Sequence, residues 1–267
     1  MVAVARPFID VHRTTTFRLG HRPALDGLRG IAVLSVLGMH TNHLFGSSVL
    51  PGGFLGVDIF FALSGFLITS LLLEEYERSG DISLRRFYTR RALRLLPALT
   101  LFLITVFILS PYVLRPAESA QTRAAVPIAF TYLTDIVISF LGKQDLGALH
   151  HTWSLAVEEQ FYLFWPITLC ILLKLGKRQA LLFTVGLILL SALLKGLLWN
   201  GPDTVPRTYY GPDVRADALM MGCLAAMLMK WSNPRFKLLT IPAIVFITVL
   251  IVTASVVDSW LYLGMLT

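Results

Sequence analysis

Residues 150–166 read HHTWSLAVEEQFYLFWP. They open an apolar run, about 153–173, long enough to cross a hydrocarbon core that needs roughly 20 such residues. Yet Glu158 and Glu159 stand about one turn inside it. An ionisable group at bilayer depth is costly unless it is paired or hydrated. On a helix turning about 100° per residue, His151, Ser154, Glu158 and Trp165 fall within about 60° of one another, and Glu159 points almost oppositely. One acid is expected to face a helix bundle and the other to reach water or a cation at the interface. Arg215 and Asp217 are available as partners.

The rest of the chain agrees with a membrane reading. It has 267 residues, 55% of them hydrophobic and only 15% charged, with a mean hydropathy of +0.70. Soluble domains average about 25% charged residues. Soluble, disordered, collagen-like and disulfide-rich classes are therefore excluded. The two cysteines, Cys170 and Cys223, fall in apolar runs and read as buried thiols. The net charge of +7 comes from arginines set between apolar segments. That pattern signals topology and argues against nucleic acid as a partner.

Seven runs are long enough to cross: about 28–45, 54–73, 95–114, 153–173, 180–199, 214–230 and 238–257. An eighth, 126–141, is short and carries Asp135 near its middle. No signal peptide is expected before the first run. Arg6 to Arg29, Arg78 to Arg94, Lys174 to Arg178 and Lys230 to Lys237 hold 17 of the 23 Lys and Arg residues. The positive-inside rule places all four clusters, and the N-terminus, in the cytoplasm. Two cytoplasmic loops are separated by an even number of crossings, so 126–141 is expected to be re-entrant or interfacial. A full crossing that breaks the charge rule is the alternative. The expected fold class is an all-α integral membrane bundle of about 7–8 transmembrane helices. Trp260 to Thr267 is again apolar, which leads us to expect a domain incomplete at its C-terminus.

Three further places carry polar groups at membrane depth. In RPALDGLRGIAVLSVLGMH, residues 22–40, Arg29 and His40 lie on one stripe, roughly 16 Å apart along the axis, with Asp26 and His43 close to it. The ordinary alternative is a snorkelling Arg29 and a packing His40. In GGFLGVDIFFALSGFLIT, residues 52–69, Gly52, Gly53 and Gly56, and then Ser64 and Gly65, permit close helix approach. Asp58 needs a partner there, and His40 or His43 is at a suitable depth. Ser64 is expected to bond its own helix backbone. In RRFYTRRALRLLP, residues 85–97, arginine rather than lysine suits bidentate phosphate binding. Charge alone favours topology and attraction to anionic lipid there.

Taken together, DGLRGIAVL with its terminal His40, GVDIFFALSGFLIT, RRALRLLP with Arg91 and Arg94 as an RxxR element, WSLAVEEQFYLFWP and RADALMMGCLAA resemble the membrane acyltransferase 3 family, over about residues 22–230. The resemblance implies a ten-helix domain, often bacterial. Such domains move an acyl group from cytoplasmic acyl-CoA to a hydroxyl of an envelope glycan or glycosylated small molecule. It divides the chain into a polar cytoplasmic tail, 1–23, and a membrane acyltransferase domain, 24–267, in a bacterial cytoplasmic membrane. The family's later SYxxYLWH-type helix is not found here.

Acyl transfer to an alcohol needs a base, oxyanion stabilisation and a donor site. His40, matching the motif histidine, is expected to be the general base. Glu158 and Asp58 would orient it or engage acceptor hydroxyls. Arg91 and Arg94 would hold the phosphates of acyl-CoA, with Arg29 guiding the pantetheine arm or stabilising charge. Asp26, Trp153, Ser154, Arg215 and Asp217 would contact a carbohydrate or glycosylated acceptor. Acyl-CoA enters as a donor substrate, with no tightly bound cofactor and no metal expected. Direct transfer and a covalent acyl-enzyme both fit these residues. A transporter with an intramembrane His/Asp/Glu path and a non-catalytic membrane scaffold are the rival readings.

Overall fold

The computed structural model describes residues 23–41 and 49–232, together with Ile251, Ala254 and Asp258. Among these residues the chain is helical, with no strands. Nine α-helices follow in order: α1 Pro23–His40, α2 Leu55–Ser79, α3 Leu84–Val113, α4 Pro116–Phe130, α5 Thr134–Leu141, α6 Trp153–Leu175, α7 Lys177–Leu198, α8 Val205–Tyr210 and α9 Pro212–Trp231. The 1–23 tail (Pro23 aside), His43 and most of the 238–257 run lie outside the described residues.

Four stretches are long and apolar enough to cross a membrane: Pro51–Ser79, Leu84–Val113, Gly147–Leu175 and Lys177–Leu198. They coincide with the expected runs at 54–73, 95–114, 153–173 and 180–199. The runs 28–45 and 214–230 fall on α1 and α9, which are helices but do not reach that standard. Asp26, Arg29 and His40 lower the hydropathy of α1, and α9 holds Asp213, Arg215, Asp217 and Lys230 in 20 residues. The described residues thus support four spans, or five if α4 and α5 make one broken span. The segment expected at 126–141 contains that break: α4 and α5 meet at 110°, around Tyr132 with φ of 54°.

Burial separates inner from outer helices. In Pro51–Ser79 and Gly147–Leu175 the most apolar windows are 50% and 44% buried, against 11% in Leu84–Val113 and Lys177–Leu198. The outer pair exposes Leu101, Ile108 and Tyr112 on α3 and Leu182, Leu189 and Leu197 on α7. A surface this apolar suits lipid and not water.

The most extensive packing is α2 on α9, and small residues set it. A Cβ added at Gly65 would meet the Leu219 carbonyl, and one at Gly222 would meet the Ala62 carbonyl. The two backbones approach through reciprocal glycines, as expected where dispersion between close helices drives association. Gly53 and Gly56 likewise seat this segment on α1, against the carbonyls of Ser35 and Ala32. Basic clusters gather at one end of the bundle. Lys230 Nζ lies 2.8 Å from Glu77 at the close of α2, and Lys177 Nζ lies 5.7 Å from the Trp231 ring centroid.

Candidate active site

Three successive side chains of α6 reach three different parts of the bundle. Glu158 accepts a hydrogen bond from Ser64 Oγ on α2. Glu159 takes a bidentate contact from Arg91 on α3, Nη2 to Oε1 at 2.6 Å and Nε to Oε2 at 3.2 Å. Gln160 Nε2 donates to the Tyr132 carbonyl and to Asp135 Oδ1, both at 2.9 Å. The opposed directions of Glu158 and Glu159 follow from helical geometry. One acid turns into the bundle and its neighbour finds a cation, as expected. The partners differ from those expected. Ser64 bonds Glu158 rather than its own backbone, because a carboxylate at that depth is a stronger acceptor than a carbonyl already in the helix ladder.

Gln160 escapes the sequence reading. Its amide satisfies backbone freed at the 110° break, which a membrane core tolerates only where protein supplies the hydrogen bonds. Asp135 is fully buried, at the first turn of α5. Tyr162 escapes it as well. Its ring lies under Arg91, 3.1 Å from guanidinium carbon to centroid, and its hydroxyl lies beside Ser64 and Glu158. The available signal is its i+4 spacing from Glu158.

A cleft of about 700 Å³ opens between α2 and α3. Arg78, Arg86, Arg90, Arg91 and Arg94 line it, with Glu75 as its acid. Arginines at 86, 90 and 94 share a helix face by their four-residue spacing. Arg78 pairs with Glu74 at 4.0 Å. Among the described residues, Arg86, Arg90 and Arg94 have no acidic partner within 4.0 Å.

On the other side of α6 lies a groove of about 320 Å³ between α1, α2 and α6. Glu158 and Ser154 are its polar lining, against Val36 and Leu37 of α1. Ser154 Oγ is 3.4 Å from the His151 carbonyl. His40 ends α1 one turn beyond Val36 and is exposed. Its Nδ1 lies 2.8 Å from the Val36 carbonyl. A carbonyl only accepts, so Nδ1 is the donor, and in the neutral ring Nε2 is then the nitrogen able to accept a proton. The histidine is thus oriented by its own helix, and neither Asp58 nor Glu158 is the group that fixes its tautomer. The charges of Arg29 and Arg91 bear on Glu158, while Arg29 also pairs with Asp26 at 3.5 Å.

Other expected site residues are drawn elsewhere. Asp58 pairs with Arg215 at 3.1 Å, not with a histidine. Arg215 is caged by the rings of Tyr209, Phe61 and Trp153, at 4.7, 5.4 and 5.7 Å, so it does not serve the acids of α6. Asp217 pairs with Lys195 of α7. Trp153 is 6% exposed, edge-on to Phe61 and Tyr210. Buried to that extent, it offers no open platform for a sugar ring.

Comparison with known proteins places this arrangement. The chain is 39% identical over 230 residues to the peptidoglycan O-acetyltransferase of Listeria monocytogenes, a match covering 83% of this chain and 36% of that protein. It is 38% identical over 214 residues to an O-acetyltransferase of Staphylococcus aureus, covering 77% of this chain and 34% of that one. It therefore spans about a third of the length of these relatives. No solved structure matches. The profile of a family described as an acyltransferase domain matches residues 22–265, and by that match this chain belongs to the acyltransferase domain family.

Proposed function

We propose that the protein is an integral-membrane O-acetyltransferase that moves an acetyl group from acyl-CoA to a hydroxyl of an envelope carbohydrate. Residues 24–267 form its membrane domain, the arginine end faces the cytoplasm, and α4–α5 is a re-entrant pair in a bacterial cytoplasmic membrane. The polar tail, 1–23, lies on the cytoplasmic side. The remaining crossings of a 7–8-helix bundle are α1, α9 and the run at 238–257. The acceptor class follows the Listeria relative, which is named for action on peptidoglycan.

The observation that supports His40 as the general base is the hydrogen bond from its Nδ1 to the Val36 carbonyl, which makes Nε2 the basic nitrogen of the neutral ring. In the reaction, Nε2 takes the proton from the acceptor hydroxyl as its oxygen attacks the thioester carbonyl. The tetrahedral oxyanion then collapses, the C–S bond breaks, and the proton returns to the coenzyme A sulfur. The cleft arginines hold the donor phosphates, Arg91 and Arg94 among them. Glu158, positioned by Ser64, engages the acceptor in the groove, with Arg29 as the nearby cation. Acyl-CoA acts as a diffusible donor, not as a resident cofactor.

The test is transfer of radiolabelled acetyl from acetyl-CoA to glycan, using purified protein in nanodiscs. His40→Ala should lower turnover by about 10²–10⁴-fold, the usual contribution of a general base, while leaving coenzyme A binding intact. Wild-type turnover in that variant would sink the assignment and move the search for the base to Glu158.

A further inference from the structure

Two observations meet at Arg91. It lines the open cleft beside Arg86, Arg90 and Arg94. Yet its guanidinium is turned onto an acid, with Nε and Nη2 both donating to Glu159 and its plane covering Tyr162. Arginine holds phosphate best through two parallel N–H···O bonds. In Arg91 that fork is already filled by a carboxylate 13% exposed. Glu159 thus occupies the place a phosphate would take, and carboxylate and phosphate fit the same fork.

Resting on the reading of this cleft as the donor site, we infer that Glu159 sets its affinity by competing with a donor phosphate for the Arg91 fork. Displacement leaves a poorly hydrated carboxylate with less compensation, which is unfavourable. An anion with a single phosphate gains too little to offset that. A ligand with several phosphates, the others held by Arg86, Arg90 and Arg94, can displace Glu159. The acid therefore acts as a positioning residue that makes the cleft selective for polyphosphorylated donors.

The experiment titrates coenzyme A into purified protein in nanodiscs of zwitterionic lipid, followed by calorimetry. Glu159→Gln keeps the side-chain shape and removes the competing charge. It should bind coenzyme A about five- to tenfold more tightly, the low end of coupling between linked groups. The gain should disappear when Arg91→Ala is compared with the double variant Arg91→Ala/Glu159→Gln. Glu159→Asp, which keeps the charge but shortens its reach, should fall between wild type and Glu159→Gln, and it carries the same test if Glu159→Gln does not fold. Affinity no tighter than wild type, or a gain that survives without Arg91, overturns the inference and leaves the donor reading standing. Failure of wild type and Glu159→Gln alike to bind coenzyme A overturns both.

Discussion

The two ends of the bundle treat charge in opposite ways. At one end, Arg86, Arg90 and Arg94 face an open cleft of about 700 Å³. At the other, Arg215 is closed on Asp58 inside an aromatic cage, Lys195 is closed on Asp217, and Arg207 is closed on Asp213 at 2.5 Å. Cations of the second kind are committed to ion pairs within the fold. Those of the first kind have no acidic partner within 4.0 Å among the described residues. A membrane arginine is therefore diagnostic only with its partner in view, and Arg91, which lines the cleft but is closed on Glu159, stands between the classes.

The largest effect expected from this contrast lies at the closed end. Arg215 has a side chain 5% exposed, against 30% for Asp58. Arg215→Leu strands Asp58 and should destabilise the protein by about 3 kcal/mol, the low end of the cost of breaking a buried pair, because Asp58 keeps some contact with solvent. Asp58→Leu/Arg215→Leu should recover most of the loss, since two apolar groups leave no orphan charge. Thermal unfolding in detergent, followed by tryptophan fluorescence, measures both. A single variant as stable as wild type would show that the cage does not depend on the ion pair.

The open end should show the reverse pattern, a binding loss without a folding loss. Arg90→Ala/Arg94→Ala should weaken coenzyme A binding by about 1.5–3 kcal/mol for each phosphate contact removed. Its melting temperature should stay near that of wild type, because both side chains are exposed. Unchanged affinity would return these arginines to a purely topological role.

Much of this contrast is legible in the sequence. The apolar runs locate α2, α3, α6 and α7, because bilayer thickness imposes a length on each crossing. Helical azimuth alone turns Glu158 and Glu159 to opposite sides. Pairing across helices is what stays hidden. The sequence matches Asp58 to a histidine because depth is the only coordinate it offers, and depth does not say that α9 packs on α2. The α2–α9 seam depends on Gly65 lying opposite Gly222, a register that no local pattern encodes. Gln160 is illegible for the same reason. An uncharged amide gives no sign of distress in a membrane helix until the broken backbone at Tyr132 is placed beside it.

The smallest effect belongs to Asp26, which the sequence places among the acceptor contacts. It sits three residues before Arg29 on α1, with the two side chains 54% and 44% exposed and 3.5 Å apart. Water and salt screen such a pair, and exposed ion pairs contribute about 0.2–1 kcal/mol. Asp26→Asn should therefore change stability by less than about 1 kcal/mol, and the difference should shrink further as ionic strength rises. Its catalytic effect should be correspondingly slight, because Arg29, whose charge bears on Glu158, keeps its place on the helix. The pair thus resembles the closed end in chemistry and the open end in exposure, and exposure decides the energy. A loss of turnover on the order of 10²-fold in Asp26→Asn, the scale of a group used in the transition state, would contradict that ranking. It would put the carboxylate in contact with a reacting group.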